Sequence, residues 1–152
     1  MLGLLAACQP ALNWREVRPE KSGVVAMFPC KPEVEQRSGM GLAQCEADGG
    51  RFSLSWADVP EPSQAGPALN AMAAAVAAKL ALPPPQAQRL TVPGMTPLPE
   101  AAQYLLNGAG SVSRVGVFSH GARVYQVMMS SPKVDGVAWD SFVAGLRIEM
   151  GR

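Results

Sequence analysis

The sequence predicts an α+β fold, an antiparallel β-sheet built from hairpins and covered by one long and one short helix. Three observations carry this. Runs rich in β-branched and aromatic residues flank tight-turn residues at two places, Asp48-Gly49-Gly50 and His120-Gly121. The apolar period changes from two to helical spacing after Gly66 and again after Asp135. Strands therefore come in groups, with a helix after each group.

Taken in order, residues 9–22 form a polar lead-in with Pro10, Pro19 and several charges, fit either to act as a tether or to pack as an edge. Trp14 favours the edge. Val24, Val25, Met27 and Phe28 read as a buried strand stopped by Pro29 and Pro32, and residues 34–37 as a short exposed one. Strands at 42–47 and 51–59 flank the Asp48-Gly49-Gly50 turn. In the second of them Phe52, Leu54 and Trp56 alternate with Ser53, Ser55 and Ala57, so one face is core and the other is wet.

Pro67 suits the first turn of a helix, and Leu69, Met72, Ala73, Val76 and Leu80 keep helical spacing until Pro83-Pro84-Pro85. The rest of that helix is mostly alanine, which suits a tight groove against a sheet or a second layer. Residues 83–100 carry six prolines, at 83, 84, 85, 93, 97 and 99, and read as a connector with a candidate strand at 87–92. Gly108-Ala109-Gly110 reads as a turn between strands. A hairpin follows, 111–118 with 123–129, whose two-residue turn at His120-Gly121 would pair Val117 with Val124 and Gly116 with Tyr125, the tyrosine covering the glycine. Asp135 then caps a short helix with Trp139, Phe142, Val143 and Leu146 on one face; Gly145 ends it, and a last strand runs over 147–150. No internal repeat is present.

Composition limits the function classes. A chain of 152 residues, 48% of them hydrophobic, supports one domain with one core. A net charge of +1 with 16% charged residues lacks the concentrated basic field that nucleic acid or acidic lipid needs as a main partner. The apolar stretch 65–82 is interrupted by Gly66-Pro67, Asn70 and Lys79 and is no membrane span.

The N-terminus points to a compartment. Leu5-Ala6-Ala7-Cys8 resembles the lipobox of bacterial lipoproteins, in which the cysteine receives a diacylglyceryl group and becomes the first residue after cleavage. No Lys or Arg precedes it and the apolar stretch is very short, which points to a start codon upstream. The alternative is a core helix beginning at Leu2, Leu4 and Leu5 with Cys8 a buried thiol, against which stands the immediate Gln9-Pro10. The resemblance implies residues 1–8 as a truncated signal and lipidation site, 9–22 as the lead-in, and 23–150 as a single domain. Gln9 is not the aspartate that retains lipoproteins at the inner membrane of enteric bacteria, so the resemblance implies anchoring at the periplasmic face of the outer membrane.

With Cys8 taken by lipid, Cys30 and Cys45 remain as an even pair in an oxidising compartment. A bridge closing a loop of about 15 residues would add roughly 3 kcal/mol in the chain-entropy model. Free buried thiols are the alternative. A redox dithiol would favour C-x-x-C spacing, and a zinc site would need about four ligands where His120 is the one histidine.

No catalytic set assembles in the sequence. His120 beside Gly121 is explained by a tight turn that tolerates a left-handed or exposed residue, and no partner for acid–base work can be named. Ser53, Ser55, Ser111 and Ser113 fit the wet faces of strands, and no G-x-S-x-G elbow exists. Asp48 suits a turn and Asp135 a cap, leaving Asp58 and Asp140 with no assigned role. Gly108-Ala109-Gly110 lacks the remaining glycine and following helix of a nucleotide loop. The eight methionines are scattered, and Met128 and Met129 point to opposite strand faces, so core filling explains them better than copper. No cofactor or metal is expected.

An early strand ending in Phe28-Pro29-Cys30-Lys31-Pro32, a mid-chain helix, a later hairpin and a closing helix before Leu146-Arg147 resemble small uncharacterised proteobacterial envelope lipoproteins. The layout is more distantly similar to the PsbP- and Mog1-like sandwich. Neither resemblance implies an activity. The expectation is a non-catalytic, lipid-anchored binding or accessory module of the envelope, contacting the bilayer through acylated Cys8 and taking an envelope protein or a small apolar ligand. Two alternatives remain: an envelope enzyme or thiol-redox protein whose site forms only in three dimensions, and a cytosolic domain with three free thiols.

Overall fold

The computed structural model describes residues 12–133 and 135–149. The chain forms β1 (Arg15–Val17), β2 (Val24–Phe28), β3 (Glu33–Arg37), β4 (Met40–Ala47), β5 (Gly50–Asp58), α1 (Ala65–Lys79), β6 (Gln88–Arg89), β7 (Ala102–Gly108), β8 (Ser111–His120), β9 (Arg123–Ser131), α2 (Gly136–Ala144) and β10 (Arg147–Ile148). Every strand pair is antiparallel. A seven-stranded sheet runs β3-β4-β5-β9-β8-β7-β6, and a three-stranded one runs β1-β2-β10. The expected α+β fold is therefore what forms, with hairpins β4–β5, β7–β8 and β8–β9 at its centre.

Period-two patterning divides the large sheet into two faces. On the inner face Phe52, Leu54 and Trp56 of β5 stand opposite Met129, Val127 and Tyr125 of β9, all buried. This face packs on β2 and α2. Phe142 lies 5.3 Å from Phe28 and 5.5 Å from Phe52 between ring centroids, and Trp14 meets Phe52 edge-on at 5.9 Å. Edge-on geometry sets a positive ring rim against a negative face, which favours such pairs beyond the area they bury. On the outer face Val115, Val117 and Val124 are buried where α1 crosses β8 and β9, with Leu69, Ala73 and Ala77 of the helix turned inward.

Residues 12–22 pack as an edge, the second of the two readings open to the lead-in. β1 pairs with β2, Ser22 is fully buried, and the Tyr125 hydroxyl donates to the Ser22 carbonyl at 2.6 Å. Cys8 lies outside the described residues.

The hairpin β4–β5 turns through Asp48 and Gly49, both at positive φ (52° and 74°), as the sequence predicts. The later hairpin departs from expectation. Its turn is Gly121-Ala122, with His120 opposite Arg123, so Gly116 pairs with Val127 and Tyr125 with Phe118. Tyr125 stacks on Phe118 at 5.0 Å, while Gly116 is covered by Val127, Leu90 and Trp139. His120 was expected in the turn; Gly121, at φ 58°, takes the left-handed position instead. The displacement changes each partner by two residues, so every side chain keeps its face.

α1 ends at Lys79, ahead of the prolines, and Ala81 turns the chain at φ 55°. The alanine-rich face was expected in a tight groove against a sheet or a second layer, but Ala71, Ala74, Ala75 and Ala78 are exposed. The candidate strand at 87–92 shortens to Gln88–Arg89, yet Leu90 and Val92 beyond it are buried. Asp135 caps α2, its Oδ1 accepting from Ala138 N at 3.0 Å. Gly145 ends that helix with φ −83°, and a Cβ there would fall 2.3 Å from Met27 Cγ, so close approach to β2 is what excludes a side chain. Among the described residues no helix is long and apolar enough to cross a membrane.

Candidate functional site

α1 covers only part of the outer face, over β8 and β9, and leaves the β3–β5 wing open. Register places Met40, Leu42 and Gln44 of β4 on that open face opposite Ala57, Ser55 and Ser53 of β5. The result is a groove of about 370 Å³ with Met72 of α1 as one wall, Leu42 and Met40 as the other, and Ala57 and Val124 between them. Glu35, Arg37, Ser55 and Gln126 form its polar margin. Met40 is 56% exposed, a large apolar side chain kept in water at the groove mouth.

A polar cleft of about 470 Å³ lies at the same end of the wing on the inner face, where Gln36, Trp56, Asp58 and Arg123 stand, and Arg37, Met40 and Trp56 line both concavities. Its floor holds an ion pair, Arg123 Nε to Asp58 Oδ1 at 2.7 Å and Nη2 to Oδ2 at 3.2 Å. The hydrogen bond from Arg123, opposed by partial burial, holds the Asp58 carboxyl below the usual carboxylate range. Arg123 also donates to the Lys21 carbonyl, and Lys21 stands in the left-handed region at φ 65°. Such a backbone is sparsely populated for a residue with a Cβ and persists where surrounding bonds determine it.

Cys30 and Cys45 are disulfide-bonded, with Cα atoms 6.0 Å apart. The bond joins the end of β2 to β4, and so ties the two sheets together. The other singled-out residues do not converge. His120 Nδ1 lies 3.0 Å from the Gly94 carbonyl oxygen, a local bond to the connector. Ser53 and Ser55 are half-buried on the outer face, and Ser111 is half-buried at the start of β8. Ser113 was expected on a wet face but is 2% exposed, its hydroxyl 3.2 Å from Ser130 Oγ. Asp48 sits in its turn, Asp135 caps α2, Asp58 pairs with Arg123, and Asp140 is exposed on α2. No group of three or more His, Cys, Asp or Glu side chains among the described residues is placed to hold a metal.

The groove was not singled out from the sequence because its walls come from three separated segments. One signal was present: Met40 and Leu42 are apolar on the strand face that pairs with the serines of β5, where a fully solvated face would be polar.

No family model matches the chain, and no curated protein does. A solved structure from Bacteroides thetaiotaomicron VPI-5482 overlays with a TM-score of 0.49 at 11% identity, over 84% of this chain. The overlay spans 46% of that protein's length.

Proposed function

We propose that the chain is a non-catalytic binding module of the bacterial cell envelope, anchored through a lipid on Cys8, that holds an apolar ligand in the groove between α1 and the β3–β5 wing. The observation that carries the reading is the groove itself. Met40, Leu42, Ala57 and Met72 present apolar surface to water in a concavity of about 370 Å³, inside the roughly 300–1000 Å³ range of small-ligand sites. A solvated wing with no partner would be expected to carry polar residues at those positions. The Cys30–Cys45 bond supports an oxidising compartment, and the pairing leaves Cys8 as the third cysteine, within Leu5-Ala6-Ala7-Cys8.

Two measurements test the reading. Intact mass of protein from the membrane fraction of a bacterium expressing the gene with its upstream sequence should show a lipid-bearing chain starting at Cys8. A soluble, unprocessed chain would sink the anchor. A photo-crosslinking residue at Met72 should capture an envelope component that the same residue at exposed Asp140 does not; equal labelling from both positions would remove the groove from the proposal.

A further inference from the structure

We propose that β3 pairs edge to edge with β3 of a second copy of the chain, antiparallel about a two-fold axis at Gln36, so that Glu35 of each copy faces Arg37 of the other. The inference goes beyond the reading of the groove and does not depend on it. β3 closes one side of the seven-stranded sheet and is bonded to β4 alone. At five residues it is the longest free edge among the described strands, against two for β6, three for β1 and two for β10. All five of its residues are exposed. Such an edge offers a row of unpaired N–H and C=O groups to another strand.

The register with β4 shows which groups are free. Arg37 faces Met40 across the two-residue turn Ser38-Gly39, so Arg37, Glu35 and Glu33 spend their main-chain hydrogen bonds on β4. Val34 and Gln36 therefore turn their N–H and C=O groups away from the sheet. Val34 is 43% exposed, one of three large apolar side chains left in water among the described residues. On the inner side a cleft of about 650 Å³ sets β3 back from Val17 and Pro19, bridged where the Gln36 side-chain amide donates to the Glu20 carbonyl. A strand added in the plane of the sheet would cover Val34.

Charge selects the occupant and the register. Charged residues on an edge strand ordinarily repel a partner. Here the strand reads Glu33-Val34-Glu35-Gln36-Arg37, with anions first and a cation last, and an antiparallel copy of that pattern is complementary to it. Glu33, Glu35 and Arg37 share the outer face, and none of them enters an ion pair among the described residues. Opposite residues must lie on one face, so the axis can fall only on a residue of the strand. At Gln36 it forms the Glu35–Arg37 pair twice and sets amide against amide. At Glu35 it forms Glu33–Arg37 twice but opposes Glu35 to itself, and at Val34 it opposes Glu33 to Glu35 twice; like charges directly opposite destabilise a strand pair. Pro32 agrees with the choice. It has no N–H to give, and the Gln36 register ends on Val34 opposite Ser38, before Pro32 is reached. The contact is isologous and closes at two copies.

Sedimentation velocity tests the pairing. A contact of this length is smaller than a standard interface, so the association is weak and a range of about 5–500 µM covers it. The wild-type chain should pass from monomer to dimer across that range. Arg37→Glu and Glu35→Arg change exposed side chains, and each replaces both ion pairs by like charges, so each variant alone should dimerise about tenfold or more weakly. Mixed one to one, the two variants should recover wild-type dimerisation, because both pairs re-form between unlike chains. If either variant unfolds, Gln36→Pro takes its place: it removes an outward N–H without touching the β4 ladder and should abolish the dimer. A chain that stays monomeric throughout would overturn the proposal. So would a dimer that no variant weakens, which would place the contact elsewhere, or folded single variants whose mixture stays monomeric, which would exclude the pairing of Glu35 with Arg37.

Discussion

Trp56 and Gly41 are cross-strand partners on β5 and β4, and the indole occupies the place where a side chain at Gly41 would stand. A Cβ on Gly41 would fall 2.0 Å from Trp56 Cζ2 and 2.2 Å from Cε2. Trp56 is 4% exposed and walled in by Tyr125 on the next strand, so it has little room to retreat. The Gly41→Ala variant should lose about 1–3 kcal/mol, the usual cost of overpacking a filled core. Urea unfolding gives the number. Combining it with Trp56→Phe should recover part of the loss relative to Trp56→Phe alone, because the smaller ring vacates the contact; two strictly additive losses would show that the contact is not the cause.

The same arrangement shows which parts of the fold were legible in the sequence. Short-range chemistry was readable: Asp48-Gly49 as a hairpin turn, Asp135 as a cap, and Phe52, Leu54 and Trp56 as one buried face. Each depends on residues within a few positions of one another. The second hairpin was misaligned because His120-Gly121 and Gly121-Ala122 both supply a tight turn, and the choice is made by Phe118 stacking on Tyr125, a contact that appears only after pairing. Ser113 was misplaced because strand alternation gives the face and not what covers it. The groove was invisible for the same reason, since Met40 and Met72 come from different elements and meet only once α1 stops short of β5.

Removing the Cys30–Cys45 bond, by reductant or as Cys30→Ala with Cys45→Ala, should lower stability by roughly 3 kcal/mol on the chain-entropy account for a separation of 15 residues. The bond is the covalent link between the end of β2 and the large sheet, so the loss should be accompanied by faster amide exchange in β1 and β2 before β8 and β9. Urea midpoints with and without reductant check the first part and hydrogen exchange the second. Unchanged midpoints would mean that the sheets hold together by packing alone.

The Asp58–Arg123 pair gives an acid limb to stability. Asp58 has its folded pKa depressed by the Arg123 hydrogen bond, so its contribution is present above the unfolded value, near 3.8, and is lost as pH falls through the folded one. Glu16 is lowered too, first by its hydrogen bond from Arg147 and then by Arg18, and acts in the same direction. The difference between wild type and Asp58→Asn isolates the first pair: it should be largest at neutral pH and shrink below about pH 4. A difference that stays constant from pH 7 to pH 2 would refute the linkage.

Tyr125 should produce an alkaline limb. Burial pushes its phenol above 10.0, Arg123 nearby opposing, and the hydroxyl donates to the Ser22 carbonyl. A raised folded pKa means the stabilisation is complete below the unfolded value near 10 and is lost as pH rises past it, because ionisation requires the chain to open. Tyr125→Phe should cost about 1–3 kcal/mol at neutral pH, leaving the buried Ser22 carbonyl without its donor, and should flatten the decline above pH 10. Guanidinium unfolding at pH 7 and pH 10.5 measures both effects.

Asp135 tests how α2 supports the core. Its carboxylate accepts from Ala138 N at 3.0 Å, satisfying one of the free amides at the helix start. Ala138 and Trp139 lie in that first turn and are buried, with Trp139 Nε1 donating to Gln103 Oε1 at 2.8 Å. Fraying there would therefore reach the aromatic cluster through Trp139 and Phe142, whose rings are 6.2 Å apart. Asp135→Ala should cost about 1 kcal/mol, and Asp135→Ser, which keeps an acceptor oxygen at the cap, should retain most of the stability. Urea unfolding of the three proteins separates the explanations: serine behaving like alanine would show that charge at the helix start, and not the cap hydrogen bond, is what Asp135 supplies.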